Sequence, residues 1–166
     1  MIATVAGLAG AAPRARPGLV LADSARVTAA LRPAAGRPRL VHLWASWCVP
    51  CAAELPALLA ELRRVGARID VVLLALDESS GAAAAQRLVD RAGGAPGLAL
   101  RASPRDALPA VRALDREWDG AIPTTYLIAS DGRLAGAQRG LTELPELVRA
   151  IDRLAPQGRS HDRSKP

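Results

Sequence analysis

Two cysteines separated by two residues are the groups of this sequence best suited to chemistry. Cys48 and Cys51 enclose Val49-Pro50, and the chain has no other cysteine. Residues at i and i+3 of a helix share one face, at a separation that a disulfide can span. The pair can therefore alternate between dithiol and disulfide, which predicts a redox-active site at the junction of a strand and a helix.

The predicted position of the two thiols gives them different roles. Cys48 should lie at the N-terminus of a helix, where free backbone amides and the helix dipole stabilise a thiolate, which is the attacking species. Cys48 is thus the predicted nucleophile and Cys51 the predicted resolving thiol. Pro50 suits the first helical turn because its missing N–H would have no partner there.

A Cys-x-x-Cys pair is also compatible with half of a zinc site or with a purely structural disulfide. Zinc needs two further ligands, and the only histidines, His42 and His161, lack the spacing of finger-type ligands. The redox dithiol is the favoured interpretation, and neither a metal ion nor a bound cofactor is predicted.

Strand-like and helix-like segments alternate around the dithiol. Strands are predicted at 19–21, 39–45, 69–76, 98–101, 124–129 and 133–138, and helices at 25–31, 48–65, 82–92, 104–118 and 143–154. The strands at 39–45 and 69–76 are almost wholly apolar, which indicates that both faces of the sheet are covered. Asp131-Gly132 between the last two strands predicts a hairpin. The pattern predicts an α/β fold in which a mixed, mainly parallel sheet carries helices on both faces.

Length and composition favour one domain. The chain has 166 residues, half of them hydrophobic, which suffices for one core. We expect that domain at 19–155, with 1–18 a signal-like or disordered extension and 156–166 a disordered tail. The net charge of +6 comes from scattered basic residues without interleaved aromatics, which disfavours nucleic-acid binding. No apolar run reaches 18 residues, so membrane association is expected only through an upstream anchor.

Two sequence runs, one in each half of the chain, carry a family resemblance. The first is Trp44-Ala45-Ser46-Trp47-Cys48-Val49-Pro50-Cys51, followed by Glu54 and Pro56, and the second is Ala121-Ile122-Pro123-Thr124-Thr125-Tyr126-Leu127-Ile128, followed by Asp131-Gly132. Both resemble the thioredoxin superfamily, and specifically its TlpA/ResA-type thiol:disulfide oxidoreductases. The resemblance extends from about 19 to 155 and implies a thioredoxin fold, in three layers.

The resemblance also implies roles for individual residues. Cys48 becomes the attacking cysteine and Cys51 the resolving one. Pro123 becomes a cis-proline beside the dithiol, where Ile122 offers backbone groups to an extended substrate. Trp118 is expected either to line the substrate groove or to pack in the core. The residues predicted to bind substrate are Trp47, Val49, Pro50, Ile122, Pro123 and Thr124.

Two residues are candidates for moving protons. Glu54 matches an acidic residue that these reductases carry near the active site, and it can accept the proton of Cys51. A solvated glutamate in the first helical turn is the alternative. His42 stands six residues before the nucleophile, where thioredoxins place a buried acid. It is predicted either to shuttle a proton to Cys51 or to be a core histidine satisfied by a hydrogen bond.

The predicted function is thiol:disulfide exchange in the direction that reduces protein disulfides, by a monomer that receives electrons from another dithiol protein. By resemblance, the substrates are exported cysteine proteins, including those awaiting haem or copper during cytochrome c maturation. A periplasmic or otherwise exported location is expected, with the cytoplasm as the alternative. A Cu(I)-binding assembly factor and a peroxiredoxin-like peroxidase are alternative functions. They are disfavoured because Met1 is the only methionine and because Ala45 stands where peroxiredoxins usually carry Thr.

Overall fold

The computed structural model describes residues 18–33 and 36–155, so the predictions made for residues 1–17 and 156–166 lie outside it. Its strands are β1 (Val20–Leu21), β2 (Arg39–Trp44), β3 (Asp70–Ala75), β4 (Leu98–Arg101), β5 (Thr124–Ile128) and β6 (Leu134–Arg139). Its helices are α1 (Ser24–Ala30), α2 (Val49–Val65), α3 (Ala82–Arg91), α4 (Pro104–Leu114) and α5 (Leu144–Leu154). None of these helices is both long enough and apolar enough to cross a bilayer.

The six strands form one sheet in the order β1-β4-β3-β2-β5-β6. Strands β1, β4, β3 and β2 run parallel to one another, while β5 is antiparallel to β2 and β6 is antiparallel to β5. The predicted α/β class, with a mainly parallel sheet and a C-terminal antiparallel hairpin, is confirmed. Strand β2 is central, so the chain enters α2 from the middle of the sheet.

Alternating side chains of β2 build the two halves of the core. Leu40 and Trp44 pack in the layer formed with α2, α3 and α5, whereas Val41 and Leu43 pack in the layer formed with α1 and α4. His42 lies between Leu40 and Trp44, and successive strand residues face opposite sides, so it points toward α2. The predicted apolar stripe of α2 is buried in the same layer; it consists of Leu55, Leu58, Leu59 and Leu62.

One helix is shorter than predicted. Helix α4 ends at Leu114 instead of continuing to Trp118. Asp115 leaves the helical conformation, and its carboxylate accepts hydrogen bonds from the Tyr126 hydroxyl at 3.1 Å and from Arg139 at 2.6 Å. Hydrogen bonds from Asp115 to the β5–β6 hairpin thus take the place of the last predicted helical turn. The spacing of apolar residues alone could not predict these bonds.

Candidate active site

The two cysteines are joined by a disulfide at the first turn of α2. Their Cα atoms are 5.2 Å apart. Cys48 is the N-cap residue, and its sulfur accepts a hydrogen bond from the Cys51 backbone N–H at 3.3 Å. In the reduced protein the same amide and the dipole of a 17-residue helix face the Cys48 sulfur, and both favour its thiolate form.

The turn that leads into Cys48 is held by a buried carboxylate from the neighbouring strand. Asp77 follows β3 and accepts hydrogen bonds from the Ser46 backbone N–H, at 3.0 Å, and from the Ser46 hydroxyl. The parallel pairing of β2 with β3 brings their C-terminal ends together. Gly81 leaves room for this carboxylate, since a Cβ there would lie 2.4 Å from Asp77 Oδ1. Sequence reasoning missed Asp77, although an acid directly after a buried strand was an available signal.

The second predicted loop lies against the dithiol. The Ile122–Pro123 peptide bond is cis, and the Ile122 carbonyl oxygen lies 3.8 Å from Cys48 Sγ. Thr124 is buried and its hydroxyl donates to the Ala121 carbonyl at 2.8 Å, so its side chain supports the loop from within. Trp118 is also buried and its Nε1–H donates to the same carbonyl, which places it in the core and not along a groove.

Apolar side chains surround the dithiol at the surface. Trp47 is 66% exposed, and Val49 and Pro50 are exposed beside it. Leu141, which sequence reasoning missed, is 58% exposed. It follows Gly140, whose N–H donates to the Pro123 carbonyl at 2.8 Å and whose φ of +89° favours glycine.

Beneath the dithiol, four side chains from distant parts of the chain form a closed cluster. His42 of β2 is paired in register with Thr125 of β5, and His42 Nδ1 lies 2.9 Å from Thr125 Oγ1. Thr125 Oγ1 lies 3.0 Å from Thr142 Oγ1, and the Thr142 backbone N–H donates to Glu54 Oε2 at 2.7 Å. Glu54 Oε1 and His42 Nε2 face each other at 3.5 Å and close the cluster. The structure therefore joins two residues that the sequence singled out separately.

Burial sets the charge states in this cluster. Complete burial lowers the pKa of His42 from 6.5 to about 3, so its imidazole is neutral near pH 7. Burial raises the pKa of Glu54 above its usual 4.5, against the opposing effect of the hydrogen bonds from Thr142. The Glu54 side chain is only 11% exposed, so it is not the solvated first-turn glutamate of the alternative interpretation.

His42 should make the protein sensitive to acid. Its pKa is lower in the folded state than in the unfolded chain, so between about pH 6.5 and about pH 3 the unfolded chain binds more protons. Its contribution to the free energy of unfolding should fall as the pH falls through that window, by up to about 1.4 kcal/mol per pH unit. Glu54 acts in the opposite direction, since its raised pKa makes stability fall as the pH rises above 4.5.

Denaturant unfolding at a series of pH values tests this expectation. The difference between the curves of the wild type and His42→Asn isolates the histidine, and His161→Asn is the matched control for the other histidine. A pH dependence that is the same in wild type and His42→Asn would contradict the neutral, buried state of His42.

Across residues 18–33 and 36–155, no three His, Cys, Asp or Glu side chains are grouped so that they could hold a metal ion. The two cysteine sulfurs are the softest ligands in the site, but they are bonded to each other.

Comparison with known proteins gives relatives of one kind, although no family model matches the chain. Thiol-disulfide oxidoreductase ResA of Oceanobacillus iheyensis is 30% identical over 125 residues, covering 74% of this chain and 59% of the relative. The thiol:disulfide interchange protein DsbE homologue of Paracoccus denitrificans is 36% identical over 122 residues, which cover 68% of this chain and 61% of the relative. The chain thus spans about three fifths of the length of these curated relatives.

The solved structures agree on the fold. A secreted Mycobacterium tuberculosis disulfide oxidoreductase homologous to Escherichia coli DsbE superposes with a TM-score of 0.55 at 21% identity, covering 76% of this chain and 86% of that one. The chain is a thioredoxin-fold protein. Within that fold, its relatives are thiol:disulfide oxidoreductases of the ResA and DsbE type, so the resemblance predicted from the two motifs is confirmed.

Proposed function

We propose that this protein is a thiol:disulfide oxidoreductase that reduces disulfides of other proteins. The observation that carries the proposal is the Cys48–Cys51 disulfide at the N-terminus of α2, with the Cys51 amide directed at Cys48 Sγ. The pair is in its oxidised form here, which is the product of substrate reduction.

The reaction proceeds through a mixed disulfide. The Cys48 thiolate attacks one sulfur of the substrate disulfide, and the other substrate sulfur leaves and takes up a proton. Cys51 then loses its proton and attacks Cys48 Sγ, which releases the second substrate thiol and forms the Cys48–Cys51 bond. Two electrons have passed to the substrate, and a second dithiol protein must return them.

Glu54 is the proposed base for the second step. It lies one helical turn after Cys51, on the same face of α2. A carboxyl group with a raised pKa is a stronger acceptor for the Cys51 proton than a fully solvated glutamate. His42 is neutral and packs against Glu54, so its proposed part is to serve as the hydrogen-bond partner of that carboxyl group and not to carry charge.

The surface around Cys48 is suited to an extended, partly apolar protein segment. Trp47, Val49 and Pro50 lie on one side of the cysteine, and Ile122 of the cis-proline loop lies on the other. Leu141 is a further exposed apolar residue, next to Gly140, which donates to the Pro123 carbonyl, and to Thr142, which donates to Glu54. We propose cysteine-containing segments with apolar neighbours as substrates, bound by these side chains and by the backbone of Ile122 and Pro123.

The setting of this activity is also a proposal. We propose an exported location, for which a structural neighbour described as secreted gives support. We propose exported cysteine proteins as substrates, including those awaiting haem or copper, from the family resemblance of the two motifs. We propose that the protein acts as a monomer, since the dithiol and the cis-proline loop beside it come together within one chain.

Reduction of insulin disulfides tests the proposed function. With a dithiol donor present, the protein should accelerate insulin reduction well above the rate of the donor alone, and the Cys48→Ser/Cys51→Ser double variant should not. Stoichiometric binding of Cu(I) by both thiols, without any acceleration of insulin reduction, would contradict the proposal in favour of the metal-binding alternative.

A further inference from the structure

The cluster of His42, Glu54, Thr125 and Thr142 contains two polar atoms that lack a hydrogen bond. His42 Nε2 and Glu54 Oε1 are both buried, neither has a hydrogen-bond partner, and they lie opposite each other at 3.5 Å. Buried polar atoms are rarely left unpaired. A proton between these two atoms would satisfy both, and it can belong to either residue.

We propose that the protonation state of Glu54 selects the tautomer of His42, with Thr125 as the hydrogen-bond partner that can serve either tautomer. His42 carries its proton on Nδ1 when Glu54 is protonated, and on Nε2 when Glu54 is ionised. Thr125 is a positioning residue in this unit: its hydroxyl reverses its hydrogen bond to His42 between the two states. The inference rests on the proposed function in that Glu54 is the base for Cys51.

With Glu54 protonated, one arrangement gives His42, Glu54 and Thr125 a partner for every polar atom that faces the cluster. Glu54 Oε2 already accepts the Thr142 N–H, and a carbonyl oxygen is the better acceptor, so the acid proton belongs on Oε1. That proton points at His42 Nε2, which must then be bare. The ring proton is consequently on Nδ1 and is donated to Thr125 Oγ1, while the Thr125 hydroxyl donates to Thr142 Oγ1.

Ionisation of Glu54 makes that arrangement unfavourable. A carboxylate can only accept hydrogen bonds, so Oε1 would face the lone pair of a bare Nε2. Moving the ring proton to Nε2 restores a donor between the two residues. Nδ1 then becomes the acceptor of a hydrogen bond from the Thr125 hydroxyl, whose oxygen in turn accepts one from the Thr142 hydroxyl. One proton has left the unit from Glu54, and His42 has one ring proton and no charge in both states.

The surroundings leave Glu54 as the group that titrates. Thr125 reaches the unit from β5 and Thr142 from the loop after β6, and neither ionises. Leu73 is the β3 neighbour of His42 in register. On α2, Glu61 accepts hydrogen bonds from Arg64, and Arg63 donates to the carbonyls of Ala92 and Gly94, so these charged groups are engaged elsewhere. The two cysteines at the start of the helix cannot titrate while they are joined. The oxidised protein therefore isolates the Glu54–His42 equilibrium.

Nitrogen NMR on the oxidised protein tests the inference. A His161→Gln background leaves one imidazole, and its Nδ1 and Nε2 shifts report the tautomer directly as the pH is varied. We expect the Nδ1–H tautomer at low pH, conversion to Nε2–H at high pH without an imidazolium stage near neutrality, and the same midpoint for the Glu54 carboxyl carbon. A single tautomer across the Glu54 titration would overturn the proposal.

Three variants test whether the His42 tautomer is coupled to the ionisation of Glu54 or whether the two residues are only packed together. Glu54→Gln has an amide that donates to Nε2 at every pH, so His42 should remain Nδ1–H throughout. Thr125→Val leaves Nδ1 without a partner in both states. A buried N–H without an acceptor costs more than a buried bare nitrogen, so the state with protonated Glu54 should lose more, and the Glu54 midpoint should fall by about one pH unit, a tenfold change in proton affinity. Thr125→Ser retains the hydroxyl and should restore the wild-type behaviour. Equal midpoints in wild type and Thr125→Val would also overturn the proposal.

These readouts use no substrate, so the two proposals can fail separately. Coupled titration without insulin reduction would contradict the proposed function alone. Insulin reduction with an uncoupled His42 would contradict this inference alone.

Discussion

Cys48→Ser is expected to abolish disulfide reduction, with a loss of at least about 10³-fold in rate. Serine has nearly the same shape, but its hydroxyl is neither ionised near pH 7 nor able to form a disulfide. In the wild type the N-cap position and the Cys51 amide, 3.3 Å from Cys48 Sγ, stabilise an anion at position 48. Both features remain in the variant, but the thiolate that they would stabilise is gone. Insulin reduction with a dithiol donor measures the loss.

Cys51→Ser is the matched control because it removes the other thiol of the same motif. This variant should still carry out the first attack and should stall at the mixed disulfide. If Cys48→Ser formed mixed disulfides and Cys51→Ser did not, the assigned roles of the two cysteines would be reversed.

Glu54→Gln is expected to slow resolution of the mixed disulfide by about 10²-fold near neutral pH, the lower end of what general acid–base catalysis contributes. Glutamine has the size of the carboxyl group and retains an acceptor for the Thr142 N–H, but it cannot take up the Cys51 proton. Single-turnover kinetics should therefore show a nearly normal first attack followed by a slow second step. Raising the pH should recover part of the lost rate of resolution, because Cys51 then loses its proton to the solvent.

Glu61→Gln provides the control for this substitution. Glu61 lies on the same helix, but its carboxylate is bonded to Arg64 and does not contact the cluster under the dithiol. The Glu61→Gln protein should resolve the mixed disulfide at the wild-type rate. Equal resolution rates in wild type, Glu54→Gln and Glu61→Gln would exclude Glu54 as the base.

The parts of the site that are local in sequence could be predicted. The strand, turn and helix that hold Cys48 and Cys51 lie within one continuous segment, and their apolar spacing is strong enough to define β2 and α2. The hairpin of β5 and β6 is also local and has an Asp-Gly turn signal. These segments were predicted to within one or two residues.

The parts that depend on strand register could not be predicted. His42 and Thr125 are 83 positions apart, and Glu54 and Thr142 are 88 positions apart. Their contacts exist because β2 pairs with β5 in one register and because the turn at Gly140 returns the chain over α2. A single-residue slip in that register would turn Thr125 to the other face of the sheet. Nothing in the sequence around Thr125 or Thr142 indicates that either threonine belongs to the cluster, because both look like ordinary strand or loop residues.

The exposed Leu141 was missed for the same reason. Nothing in its immediate sequence indicates that its two neighbours contact the cis-proline loop and Glu54. Its position follows from the hydrogen bond of Gly140 to Pro123 and from that of Thr142 to Glu54, one on each side of it.

The central claim, that Cys48 attacks a protein disulfide and Cys51 resolves it, is tested most directly by trapping. Cys51→Ser protein, reduced and then mixed with insulin or an extract of exported proteins, should accumulate mixed disulfides that peptide mapping assigns to Cys48 and that added dithiol releases. Cys48→Ser/Cys51→Ser protein should trap nothing. Absence of any mixed disulfide on Cys48 under these conditions would contradict the proposed reaction.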